Sequence, residues 1–144
     1  PVDVKTKRLE SLVIYLLINY PDKSFERLKK LIDNNVIKIE RNKAIINKLY
    51  EEHEKGNINI ENILDLFDDE ITVNYLSGIM SSDFEITDVD KCIEDVLVTY
   101  RKELLLQRRN EILGKIDNND LTKEEVASLE EQLNNIIIKL AKMK

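Results

Sequence analysis

The stretch TKEEVASLEEQLNNIIIKLAKM, Thr122 to Met143, decides the fold. Its apolar residues fall at Val126, Leu129, Leu133, Ile136, Leu140 and Met143, in alternating steps of three and four. That is a heptad seam, narrower than the stripe of an ordinary amphipathic helix. Thr122 and Glu125 have the spacing of a capping box, which starts the helix at Lys123. Just upstream, Asp117-Asn118-Asn119-Asp120 reads as a turn, because Asn and Asp side chains bond to their own backbone. A second long helix precedes the turn from about Asp88, opened by the S/T-x-x-D/E pair Thr87 and Asp90. It carries Val89, Ile93, Leu97, Tyr100, Leu104, Leu105, Ile112 and Ile116 at compatible spacings. A turn of about five residues forces the two arms antiparallel. The hairpin core is therefore expected at Val126, Leu129, Leu133, Ile136 and Leu140. Counting back equally from the turn, Met143 faces the region of Val96, so residues before Val96 must pack on the N-terminal part of the chain.

That N-terminal part reads as about five short helices. The first, Val4 to Asn19, has a nearly continuous apolar surface (Leu9, Leu12, Val13, Ile14, Leu16, Leu17, Ile18) and is expected to be the central buried helix. Tyr20-Pro21 ends it, since proline disfavours helix in the preceding residue. A short helix is expected from about Phe25 to Ile32, and a third from Glu40 to Lys55 with Ile45, Ile46, Leu49 and Tyr50 inward. Gly56-Asn57 has the form of a glycine C-cap. Asn59 starts another short helix, and Asp68-Asp69-Glu70 opens a fifth that carries Ile71, Tyr75, Leu76, Ile79 and Met80. With three glycines and two prolines there is little material for β-hairpin turns, so the fold class is all-α: a helical globule over residues 1–100 and a helical hairpin over 101–144.

At 144 residues, 42% hydrophobic and 35% charged, the chain can bury a real core. Net charge is −6 overall, and neither half is basic, which argues against phosphate-driven nucleic-acid binding as the main role. One cysteine cannot form an internal disulfide. The longest apolar run, Leu12 to Ile18, is far short of the roughly 20 residues a membrane span requires. No stretch reads as a signal peptide, and a cytoplasmic location is the default expectation. The opening Pro1-Val2, with no initiator methionine, suggests a fragment of something longer.

Catalytic chemistry finds little support. His53 lacks a second histidine for a metal site, and Cys92 reads as a small buried hydrophobe whose sole candidate base is that one histidine. The cluster Asp65, Asp68, Asp69, Glu70 lacks the ligand alternation and glycine of an EF-hand, and helix-start carboxylates explain it. No phosphate-binding loop or nucleophile elbow occurs, so no cofactor and no metal are expected. More informative are apolar residues that the seam does not need. Leu106 and Leu113 fall on a line beside Leu105 and Ile112, and Ile138, with Ile137 next to it, turns away from the stripe. These residues are candidates for contact with another protein, with Arg108 and Arg109 (beside Arg101 and Lys102) forming a basic side that orients an acidic partner.

In their order along the chain, several segments resemble the C-terminal helicase-binding domain of bacterial DNA primases of the DnaG type. These are the leucine-rich first helix ending in Tyr20-Pro21, I-I-N-K-L-Y-E-E-H-E-K-G-N from Ile45 to Asn57, and E-N-I-L-D-L-F from Glu61 to Phe67. D-K-C-I-E-D-V from Asp90 to Val96, opening the long helix into a terminal hairpin, completes the set. Glu40-Arg41 stands where family members often have a His-Arg pair. The resemblance implies a non-catalytic module in two parts. The globule would stimulate the replicative helicase, and the hairpin would dock on the N-terminal domains of that DnaB-type hexameric ring, tying RNA primer synthesis to fork unwinding. A monomeric fragment is then expected. The alternatives are the N-terminal domain of the replicative helicase itself, which shares the globule-plus-hairpin design, or a generic helical adaptor.

Overall fold

The computed structural model describes residues 2–118 and 120–143. Among them every regular element is helical: α1 (Val4–Asn19), α2 (Pro21–Lys29), α3 (Glu40–Glu54), a 3-10 helix (Ile60–Leu66), α4 (Glu70–Met80), α5 (Val89–Ile116) and α6 (Lys123–Lys142). The protein is all-α. No helix among the described residues is long and apolar enough to cross a membrane. Asn119, in the middle of the expected turn, lies outside the described residues.

The chain divides into two compact units, the first ending at Leu97 and the second starting at Val98, inside α5. In the first unit α1 is the centre, packed against α2, α3, α4 and the 3-10 helix. Val13, Ile14, Leu16, Leu17 and Ile18 of α1 are buried together with Phe25, Leu28, Ile32, Ile45, Ile46, Leu49, Ile63 and Leu76. The first turns of α5 belong to this unit, with Ile93, Val96 and Leu97 buried. Along their exposed edge Lys23 and Arg27 of α2 meet Asp90 and Glu94 at 3.1–3.6 Å. Exposed pairs of this kind contribute little stability, but they are complementary across the two elements.

Local chemistry sets the boundaries, in two places differently from the sequence expectation. The second helix starts at Pro21 rather than near Phe25, directly after α1. Proline at the first helical position lacks an N–H that would be unsatisfied there anyway. Ser24 Oγ, donating to the Leu16 carbonyl at 3.0 Å, closes the corner. The long helix is capped by Asp88 rather than by Thr87 with Asp90: the Asp88 carboxylate accepts from the Lys91 amide at 3.1 Å. Thr122 and Glu125 do form the reciprocal capping box that starts α6. At the end of α3, Gly56 adopts φ +77°. Its amide donates to the His53 carbonyl, and that of Asn57 to the Glu52 carbonyl, which is a Schellman termination requiring a left-handed residue.

One buried polar cluster was not expected. Glu10, 1% exposed, accepts from the backbone amides of Lys38 (2.7 Å) and Ile39 (3.2 Å) and from Asn42 Nδ2 (2.9 Å). Asn42 in turn accepts from the Tyr75 hydroxyl at 2.7 Å. Ile39 has no side-chain oxygen with which to cap α3. A carboxylate from the middle of α1 takes over that role across the fold, where anionic groups are favoured.

Candidate docking surface

The second unit contains the C-terminal part of α5 and all of α6. Arg108 Nη2 donates to Gln132 Oε1 at 3.0 Å, two positions that flank Asp120 symmetrically in the sequence. Further from the turn, Arg101, Leu104 and Leu105 line a common cleft with Lys139, Lys142 and Met143. These contacts run α6 back along α5. The seam between them is thin: Ile112 and Ile136 are buried, whereas Val126, Leu129, Leu133, Leu140 and Met143 are only half-buried.

The candidate contact residues separate into places. Leu113 is 43% exposed, Ile137 51% and Ile138 46%, while Leu106 is half-buried. Each α-helical residue advances about 100° around the axis. Leu106, Leu113 and Ile137 each follow a seam position (Leu105, Ile112 and Ile136) by one residue. Two antiparallel helices turn such positions to the same side of the pair, so these three share one face. Ile138, a further step around, lies on the back of α6. Arg108 is exposed and already engaged, by Gln132 and by Glu111 at 3.5 Å. Arg109 is half-buried, and its Nε is buried with no hydrogen-bond partner among the described residues.

Residues one step before a seam position turn to the opposite face. Leu104, Lys139 and Lys142 precede Leu105, Leu140 and Met143 in this way, and they line the cleft of about 460 Å³. The sequence reading assigned Leu104, Leu105 and Met143 to the seam and passed over the two lysines. The available signal was their spacing, each lysine one residue ahead of a seam residue.

In the first unit the chemistry-bearing residues are occupied structurally. His53 stacks on Phe25, with centroids 4.0 Å apart and rings nearly parallel at 3°. Beside it, Lys29 and Glu54 are paired. Cys92 is half-buried, and its partial burial pushes the thiol up from its ordinary value, with Asp95 adding to the effect. The reactive thiolate is thereby disfavoured. Burial likewise pushes the Tyr50 hydroxyl up, and that hydroxyl donates to the Ile32 carbonyl at 2.8 Å. Of the acidic cluster, Asp69 caps α4, accepting from the Ile71 and Thr72 amides and from the Thr72 hydroxyl, the interaction that most lowers its pKa. No group of three or more His, Cys, Asp or Glu side chains that could hold a metal ion occurs among the described residues. No protein-family model matches the chain, and neither a curated protein nor a solved structure shows significant similarity to it.

Proposed function

We propose that this chain is a protein-interaction module without catalytic activity of its own, which binds a ring-shaped replicative helicase as the C-terminal domain of bacterial DNA primase does. In that role it couples RNA primer synthesis, performed elsewhere in a parent primase, to unwinding of the fork during DNA replication in the cytoplasm. The observation that carries the reading is the apolar line Leu106, Leu113 and Ile137 on one face of a two-helix arm, with Ile138 exposed behind it. A pair of helices can seal only one surface of each member. Full burial of one such side chain is worth about 1.5–3 kcal/mol, so three or four can anchor a modest interface. The ordered resemblance of Tyr20-Pro21, Ile45–Asn57, Glu61–Phe67 and Asp90–Val96 to primase is what supports a helicase as the partner.

The test is capture of a bacterial hexameric helicase, or its N-terminal domains, by the immobilised chain and by Leu113→Asp with Ile137→Asp. Retention by the parent chain and at least about tenfold weaker retention by the variant, with unchanged helicity, is the expected result. Undiminished retention by the folded variant rejects the surface, and no retention by either rejects the reading. Sedimentation separates the alternative: a helicase N-terminal domain would self-associate, whereas this module stays monomeric.

A further inference from the structure

The face of the helical pair opposite the apolar line holds a different kind of site. Its cleft is floored by Leu104, Leu105 and Met143, all half-buried, and edged by exposed Arg101, Lys139 and Lys142. A volume near 460 Å³ falls in the roughly 300–1,000 Å³ range of ligand-binding clefts. Neither lysine has an ion pair among the described residues, unlike Lys43, Lys48, Lys55 and Lys91, each held by a carboxylate three or four positions away. Residues 132–143 contain no acid at all. The turn end of the same pair is the reverse: residues 111–131 carry seven acids against Lys115 and Lys123. The macrodipole favours cations in the last turn of α6, but it does not select the face on which they sit. Both lysines sit on the cleft side.

We propose that this cleft binds an amphipathic acidic helix of a protein partner. Apolar side chains spaced at i, i+3 or i+4, and i+7 would fill the floor, and flanking Glu or Asp would meet Lys139 and Lys142. The inference rests on the docking reading above and adds a second contact surface of defined chemistry. A nucleic-acid strand satisfies it less well, because a phosphate backbone gains nothing from an apolar floor and the chain as a whole is acidic.

The experiment measures fluorescence anisotropy of labelled synthetic helical peptides titrated with the whole chain. One peptide has a leucine stripe flanked by glutamates, a second has lysines in place of the glutamates, and a third is a scramble of the first. The Glu–Leu peptide should bind at least about tenfold tighter than the other two, and more weakly as salt is raised. Lys139→Glu with Lys142→Glu, checked by circular dichroism, should exchange the preference toward the Lys–Leu peptide. Unfolding cannot produce such an exchange. Equal binding of the first two peptides by the parent chain overturns the proposal, even if the double variant does not fold. A folded double variant that keeps the original preference overturns it too, as does full competition by a single-stranded oligonucleotide. Helicase capture separates the two ideas: capture that survives the double reversal, without peptide binding, sinks the cleft and leaves the docking reading standing. Peptide binding without helicase capture does the opposite.

Discussion

The two compact units bury their apolar residues to very different depths. In the first, α1 is surrounded by four elements, and Val13, Ile14, Leu16 and Leu17 are fully buried. In the second, four of the seam residues supplied by α6, and its C-cap Met143, remain half-buried beside the buried Ile136. A helical segment with neighbours on several sides can be apolar nearly all round, as the C-terminal half of α1 is, whereas a helix with one neighbour has only a stripe to hide. The difference teaches where adaptability lies. The globule exposes Val4, Ile60 and Ile71 but also seals a deep core, while the helical pair buries little and retains Leu113, Ile137 and Ile138 at the surface, where another molecule gains by covering them.

The sharpest way to break this comparison uses the same substitution in both units. Leu17→Ala, at a fully buried position with close neighbours on every side, should cost about 3–5 kcal/mol in urea-induced unfolding of the whole chain. A loss near 1 kcal/mol would mean that the central helix is loosely packed and that the contrast is false.

Glu10→Gln comes next. The change is isosteric but turns an amide NH2 toward amides that previously met only acceptors, leaving a buried donor unsatisfied. About 2 kcal/mol is expected, with the loss localised at the start of α3 in hydrogen exchange. If exchange at Lys38 to Asn42 is unchanged, the carboxylate is not what caps that helix.

Leu133→Ala in the seam should cost only about 1–2 kcal/mol, because the side chain is half-buried and its removal leaves a groove open to water rather than a sealed cavity. A loss equal to that of Leu17→Ala would show the seam to be as well sealed as the globule.

How far the sequence revealed these features depends on whether each signal is local. Heptad spacing placed α6, and the Thr122–Glu125 box fixed its start, since both are written within one or two turns. Gly56 was legible because its left-handed conformation is a single-residue demand. Thr87 was misread because the next residue, Asp88, is an equally good cap, and which one takes the role depends on the approach of the preceding chain. Glu10 was illegible for a stronger reason: its hydrogen-bond partners lie 28 to 32 positions away, and nothing around it in α1 distinguishes it from a solvated glutamate. The candidate surface divides in the same way. Leu106, Leu113 and Ile137 stand out as apolar residues beside a seam. The opposite cleft needs two helices brought together before Lys139 and Leu104 become neighbours of one space.

The smallest expected effect on folding is also the one that bears most directly on the comparison. Leu113→Asp removes an exposed leucine from α5 and adds a carboxylate that can reach water. Aspartate is a poorer helix former than leucine by some tenths of a kcal/mol, and no cavity forms, so unfolding should move by no more than about 0.5 kcal/mol. Partner binding should nevertheless fall, because an interface that covers position 113 must then desolvate a charge without a counter-ion. Stability and binding would thus separate at this residue, whereas at Leu17 they must fall together. A Leu113→Asp chain that melts as readily as Leu17→Ala would place residue 113 in the core and remove the apolar line on which the proposed docking role depends.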